Sequence, residues 1–161
     1  MKKNIIGVMG PGGNISKSLQ QAAFQLGEQI ALNGWVLLSG GRNAGVMDAV
    51  NQGAKRQNGL TVGVLPSANS EIVSDFVDVP IFTGMGSARN NINILSSDVV
   101  IACGMGAGTA SEVALAIKAK KPIILFQVDE LSVQFFQKLD TSVFATNDLD
   151  EVIRQIKQLI K

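Results

Sequence analysis

Short apolar stretches alternate along the chain with longer segments in which apolar residues recur at helical spacing. The short stretches predict buried β-strands over residues 4–9, 35–39, 61–65, 98–103 and 122–128. A further strand is predicted over 77–82, where Pro80 favours an edge position. Apolar residues three or four positions apart predict helices over about 19–30, 46–54, 88–95, 109–120 and 149–160. This alternation indicates the α/β class: a doubly wound, mostly parallel sheet with helices on both faces, in a Rossmann-like sandwich.

Length and composition fit a single ligand-binding domain over residues 1–161. Lys and Arg number 14 against 13 for Asp and Glu, and there is no basic run. The sequence therefore gives no electrostatic reason to expect a nucleic acid or a membrane as partner. No apolar stretch is long enough to span a membrane. Because the lone Cys103 has no partner for an intramolecular disulfide, we expect a cytoplasmic protein.

The sequence contains no His. A Ser-His-Asp triad, a Cys-His pair and a His-based zinc site are therefore excluded within one chain, and no metal site is predicted. Any acid–base chemistry falls to Asp, Glu, Lys or Cys103, and we expect Cys103 to be a small core residue.

Four predicted strands end in glycine-rich turns, at residues 10–13, 40–45, 84–87 and 104–109. In a parallel sheet these turns share the edge at the carboxyl ends of the strands, where ligands bind. Each turn leads into a helix whose first N–H groups lack intrahelical partners. Tight turns also need glycine for their backbone conformation alone, so one such loop would mean little. Four at one edge predict a site for a phosphate-bearing small molecule.

Two common phosphate-binding motifs do not fit the sequence. The dinucleotide fingerprint G-x-G-x-x-G lacks its third glycine over residues 10–15, and no acidic residue ends the second strand. A P-loop pattern over residues 11–18 has Pro11 and Ser16 in place of its two glycines. NAD binding and P-loop nucleotide binding are therefore not predicted.

Residues 104–112 (Gly-Met-Gly-Ala-Gly-Thr-Ala-Ser-Glu) and residues 84–90 together resemble two motifs of the Lonely guy superfamily, once misnamed lysine decarboxylases. The positions that match the family motifs are Arg89, Gly106, Gly108, Thr109 and Glu112. Gly104 and Met105 replace the Pro and Gly that open the later motif, and Asn90 replaces a Lys in the earlier one.

In the enzymes of that superfamily, the Arg and Glu support hydrolysis of the N-glycosidic bond of a nucleoside monophosphate. The departures, the short length and the turn at 10–13 resemble instead the branch that contains molybdenum cofactor carrier proteins. That branch implies a Rossmann-like fold, a homotetramer, and binding of the molybdenum cofactor (molybdopterin) without turnover. It also suggests molybdenum enzymes as partners that receive the cofactor. Two alternatives stay open: a nucleoside 5′-monophosphate phosphoribohydrolase of the cytokinin-activating type, and a nucleotide-sensing module.

The predicted ligand-contacting residues come from the four loops and the helices after them: Gly10, Gly12, Gly13, Asn14, Gly40, Gly41, Arg42, Gly84, Gly86, Ser87, Arg89, Gly106, Ala107, Gly108, Thr109 and Glu112. Arg89 is expected to hold the phosphate, since a cation in the first turn of a helix is otherwise disfavoured by the helix dipole. Glu112 is expected to bond the Thr109 N–H in a capping box, to contact the ligand and shape the pocket, or to do both. In the hydrolase alternative, Arg89 and Glu112 are the catalytic residues. Asn14, Ser16 and Ser87 are predicted helix caps.

Overall fold

The computed structural model describes residues 2–160, in which apolar segments form seven strands and six α-helices. The strands are β1 (Ile5–Met9), β2 (Val36–Ser39), β3 (Thr61–Leu65), β4 (Val79–Phe82), β5 (Val99–Cys103), β6 (Ile123–Phe126) and β7 (Phe144–Thr146). The helices are α1 (Lys17–Leu32), α2 (Gly45–Arg56), α3 (Asn90–Ser96), α4 (Ala107–Lys118), α5 (Glu130–Leu139) and α6 (Leu149–Leu159). A 3-10 turn, Gly86–Arg89, leads directly into α3.

The seven strands form one sheet in the order β4-β3-β2-β1-β5-β6-β7, and all six neighbouring pairs are parallel. From β1 the chain moves outward through β2, β3 and β4, and then returns to lay β5 on the other side of β1. The strand order therefore reverses between β1 and β5, and the loops that follow these two strands diverge there. A crevice at such a switch point is where doubly wound sheets bind ligands.

The central strands of the sheet, β1, β2, β5 and β6, are buried on both faces, which explains their near-continuous apolar sequences. On one face, Leu26 of α1, Val50 of α2 and Ile156 of α6 are fully buried against the sheet. On the other face, Ile94 of α3 and Val113 of α4 are fully buried. The predicted doubly wound sandwich is confirmed, and Pro80 lies on the edge strand β4 as expected.

Two elements were not predicted: α5 and β7. Phe136 is the buried residue of α5, whereas Leu131, Phe135 and Leu139 of the same helix are exposed, so its apolar pattern does not mark a buried face. β7 has three half-buried residues at the other edge of the sheet, too few for a periodic signal. None of the helices within residues 2–160 is long and apolar enough to cross a membrane.

Candidate functional site

The loop after β1 is fastened to the start of α2. The Pro11 carbonyl accepts a hydrogen bond from the Val46 N–H at 2.9 Å. Gly45 has φ +57°, and a Cβ on it would lie 2.1 Å from the Pro11 carbonyl oxygen, so a side chain at this position would force the two segments apart. Residues 10–13 are therefore held in a fixed position beside the carboxyl end of β1.

The loop after β2 places Arg42 beside the first loop. The backbone of Arg42 bridges to Val73, and the Gly41 carbonyl accepts the Ser74 N–H at 2.9 Å, so this loop is docked on the segment between β3 and β4. Arg42 Nη1 lies 3.5 Å from the position that a Cβ on Gly12 would take. Its Nε is buried and has no hydrogen-bond partner within the described part of the chain.

Arg89 ends the 3-10 turn and is 8% exposed. Its Nη1 donates a hydrogen bond to Oδ1 of Asn90. Its Nε is buried with no hydrogen-bond partner among residues 2–160. An unpaired buried guanidinium N–H is costly, so Arg89 has an unused donor for an anion.

Helix α4 begins without a side-chain cap within the described residues, because its N-cap position is Gly106. The first N–H groups of this helix therefore remain available to a ligand, beside the positive end of the helix dipole. Thr109, in the first turn, is 2% exposed, and its Oγ1 has no hydrogen-bond partner in residues 2–160. This end of α4 offers both backbone and hydroxyl donors to an anion.

These parts surround one cleft of about 630 Å³ at the switch point between β1 and β5. It is lined by Gly10, Pro11, Gly12, Gly13, Arg42, Met47, Pro66, Gly86, Ser87, Arg89, Asn90, Gly106, Ala107, Gly108, Thr109 and Glu112. The structure thus brings twelve of the sixteen predicted site residues to one cavity from four separate loops. A volume of this size lies within the range of small-molecule binding sites.

Four predicted residues do not line the cleft: Asn14, Gly40, Gly41 and Gly84. Asn14 faces a neighbouring depression together with Asn43 and Asp48. Gly40 lies behind Arg89, since a Cβ on it would come within 3.1 Å of Arg89 Nη2. Gly41 and Gly84 have positive φ and serve the turns themselves.

Four lining residues were absent from the prediction: Pro11, Met47, Pro66 and Asn90. Asn90 carried a signal, because it departs from the family motif at a functional position. Pro11 stood between two predicted glycines. Met47 lies within a helical apolar pattern and Pro66 in an irregular loop, so only the tertiary arrangement identifies them.

The predicted helix caps are partly wrong. Ser16 does cap α1, accepting the Leu19 N–H at 3.1 Å, but Asn14 and Ser87 cap no helix in the described structure. The capping box of Thr109 and Glu112 is not formed, because α4 begins at Ala107 and both residues lie inside the helix. Glu112 is therefore free to face the cleft.

The sequence also predicted unpaired N–H donors at the start of a helix after each of the four loops, and this overestimates their number. At α1 the Ser16 hydroxyl is the cap, and at α2 the Pro11 carbonyl occupies the Val46 N–H. The third loop leads into a 3-10 turn rather than a long helix. Helix α4 begins at the cleft with no side-chain cap, and none of its first three N–H groups has a partner among residues 2–160.

Charge in the cleft is dominated by two arginines and one acid. Burial raises the pKa of Glu112 to about 7, although Arg89 and Asn93 nearby favour its charged form. Burial lowers the pKa of Arg89, which Glu112 partly opposes and Arg42 reinforces. Glu112 is 7% exposed and forms no ion pair within 4 Å in the described chain, so near neutral pH it is only partly ionised. The cleft therefore carries net positive charge and suits an anionic ligand.

Cys103 is fully buried at the end of β5, and burial raises the pKa of its thiol to about 12. The prediction of a small core residue is confirmed. Within residues 2–160, no group of three or more Cys, Asp or Glu side chains is arranged to hold a metal ion.

The all-parallel α/β sandwich with a cleft at its switch point places this chain in the class of doubly wound, Rossmann-like proteins, which bind ligands at that point. The SLOG cluster4 family model matches residues 3–153, and the chain belongs to that family. This family match confirms the resemblance to the Lonely guy superfamily that the glycine-rich motifs indicated.

Two solved structures are similar over nearly the whole chain. The molybdenum cofactor binding protein of Rippkaea orientalis is 55% identical, with a TM-score of 0.97, covering 100% of this chain and 99% of that one. The molybdenum cofactor carrier protein of Chlamydomonas reinhardtii is 51% identical, with a TM-score of 0.92, covering 98% and 99%. The similarity to a cytokinin riboside 5′-monophosphate phosphoribohydrolase of Mycobacterium tuberculosis is 34% identity over 96 residues, which is 58% of this chain and 51% of that enzyme.

Proposed function

We propose that this chain binds the molybdenum cofactor through its phosphate and carries or stores it without turnover. The observation that carries the proposal is the set of unused buried donors around the cleft: Arg42 Nε, Arg89 Nε and Thr109 Oγ1. Two proteins more than half identical to it, matched over almost their full length, are a binding protein and a carrier protein for that cofactor. The ligand is cargo here, and the protein's task is to hold it.

The unused donors support a phosphate site formed between α4 and the two arginines. The start of α4, Thr109 and the two arginines all line the cleft, so their N–H and hydroxyl donors are available to one phosphate. Met47 and Pro66 add apolar surface for a flat ring, which gains from leaving water. The protonated fraction of Glu112 lessens repulsion between its carboxyl and the phosphate.

The same residues argue against hydrolysis of nucleoside monophosphates. The related enzymes carry a Lys where this chain has Asn90, and Asn is neutral at every pH. No His is available to replace that charge or to move a proton. Glu112 and Arg89 remain, but they lack the second cation of the enzyme motif.

We expect no release of free base or ribose 5-phosphate when the protein is incubated with AMP and other nucleoside monophosphates. Chromatography of the reaction mixture measures both products, and a phosphoribohydrolase assayed in parallel shows that the assay works. Base release that disappears in Glu112→Gln would replace the carrier proposal with the hydrolase. If no base is released and the protein retains the molybdenum cofactor through gel filtration, the carrier proposal is supported. If no base is released and the protein retains a nucleotide instead, the sensing module is supported.

Arg89→Ala should weaken cofactor binding by about ten- to a hundredfold, since a charge-assisted hydrogen bond contributes about 1.5–3 kcal/mol. The melting temperature of the unliganded protein should fall only a little, because the cost of burying the charged guanidinium offsets its hydrogen bond to Asn90. Affinity is measured by anaerobic titration of the apoprotein with the cofactor. Arg154→Ala, on the exposed side of α6, is the control and should bind normally. A large drop in melting temperature with unchanged affinity would make Arg89 a structural residue.

We further propose a homo-oligomer, a tetramer by resemblance to the carrier branch, that passes the cofactor to molybdenum enzymes. The exposed side chains Leu131, Phe135 and Leu139, spaced four apart on α5, support self-association. Light scattering should give a multiple of the 17.0 kDa chain mass, and a monomer at micromolar concentration would contradict the assembly. Delivery is tested by whether loaded protein activates a cofactor-free molybdenum enzyme.

A further inference from the structure

The Arg89 guanidinium is held by a hydrogen bond at one nitrogen and has a second nitrogen without a partner. Its Nη1 donates to Asn90, Nη2 packs beside Gly40, and Nε has no partner in the part of the chain that the structure describes. A long, flexible side chain that holds one defined orientation loses less entropy when an anion binds. What holds that orientation therefore affects how well Arg89 binds a ligand.

A chain of hydrogen bonds connects Arg89 to the first turn of α4. Asn90 accepts from Arg89 with Oδ1 and donates from Nδ2 to Ser111 Oγ at 3.1 Å. Ser111 in turn donates to the Gly108 carbonyl at 2.6 Å. Asn90 is 6% exposed, and both ends of its amide are in use, so a flipped amide would point its NH₂ at the guanidinium.

The amide of Asn90 suits this task better than the charged alternatives. A Lys at this position cannot accept from Arg89 and would repel it. An Asp would accept, but its negative charge would offset that of Arg89 and it could not donate to Ser111. A neutral amide orients the guanidinium and leaves its charge available to the ligand.

We propose that Asn90 and Ser111 are positioning residues that fix the Arg89 guanidinium relative to the N-terminus of α4. The inference rests on the proposed phosphate site. Asn90, which stands where the family's enzymes have Lys, thus sets the position of the Arg89 guanidinium relative to the first turn of α4. Ser111 does not line the cleft, so it acts through Asn90 and Arg89.

The test is a double-mutant cycle between Ser111 and Arg89, read as cofactor affinity. Ser111→Ala should weaken binding by about three- to tenfold, as expected for one hydrogen bond in a network. In the Arg89→Ala background the same substitution should have no further effect, because there is no guanidinium left to orient. Ser111→Thr, which keeps the hydroxyl, should restore affinity. Melting temperatures of all variants show whether each is folded.

An equal loss in both backgrounds, no loss from Ser111→Ala, or failure of Ser111→Thr to restore affinity would overturn the positioning role. The cycle is repeated with inorganic phosphate as the probe, and phosphorus NMR measures its binding. If the wild-type protein binds phosphate with the same coupling but does not retain the cofactor, the proposed function fails while the positioning role stands. If it binds neither probe, both fail.

Discussion

Removing the phosphate from the molybdenum cofactor should lower its affinity for this protein by about a hundred- to ten-thousandfold. Arg42 and Arg89 each have an unpaired buried Nε at the cleft. Two charge-assisted hydrogen bonds contribute about 3–6 kcal/mol together, which gives the stated range. The open N–H groups of α4 act in the same direction.

The measurement compares the cofactor before and after alkaline phosphatase treatment, by anaerobic titration of the same apoprotein. Equal affinities for the two forms would show that the ring alone is recognised, and would remove the assignment of the donors to the phosphate.

The central strands and the helices beside them could be predicted because burial on both faces leaves a direct mark on the sequence. β5 is fully buried along its length, and the helix α4 that follows it has Val113 and Ala116 buried at helical spacing. The same logic failed at α5, where Leu131 and Phe135 face outward although they are apolar. Apolar side chains also occur on the surface of folded chains, so a helix with an exposed apolar face gives a misleading pattern.

The candidate site was predictable where glycine and charge occur together within one loop. Gly106, Thr109 and Arg89 belong to short motifs, and the parallel sheet necessarily brings their loops to one edge. Met47 and Pro66 reach the same cleft from a helix and a loop with no motif of their own. Their part in the site depends on packing between distant segments, which local sequence does not encode.

Helix capping explains why the number of open helix ends was overestimated. The sequence shows which residues are able to cap, but not which carbonyl will meet a given N–H. Val46 is satisfied by the Pro11 carbonyl, a contact that depends on the close approach of two loops at Gly45. The N-cap of α4 is Gly106, three residues before the apparent Thr109 cap, and this shift leaves the first N–H groups of the helix open and frees Glu112 to face the cleft.

Glu112→Gln should stabilise the unliganded protein at pH 8 by up to about 3 kcal/mol and have little effect near pH 4.5. Burial raises the pKa of Glu112 from 4.5 to about 7 in the folded protein. Between these values the unfolded chain releases the proton while the folded chain retains it, so the free energy of unfolding decreases as pH rises. Above pH 7 the folded protein holds the buried charge of Glu112, and the free energy of unfolding does not decrease further from this group. Gln has nearly the same shape and stays neutral, so it avoids this cost.

Thermal unfolding of both proteins between pH 4.5 and pH 8 measures the effect, which should reach a difference of roughly 6–12 °C at the upper end. Glu71→Gln, at an exposed position, is the matched control and should follow the wild-type curve. The substitution should also remove a pH dependence of binding. Ionised Glu112 repels an anion held by Arg42 and Arg89, so wild-type affinity for the cofactor should decline as pH rises through 7, and Glu112→Gln should hold its affinity. If the two proteins unfold with the same pH dependence, Glu112 is ionised in the folded state well below pH 7, and its carboxylate must then be balanced by Arg89 rather than by a proton.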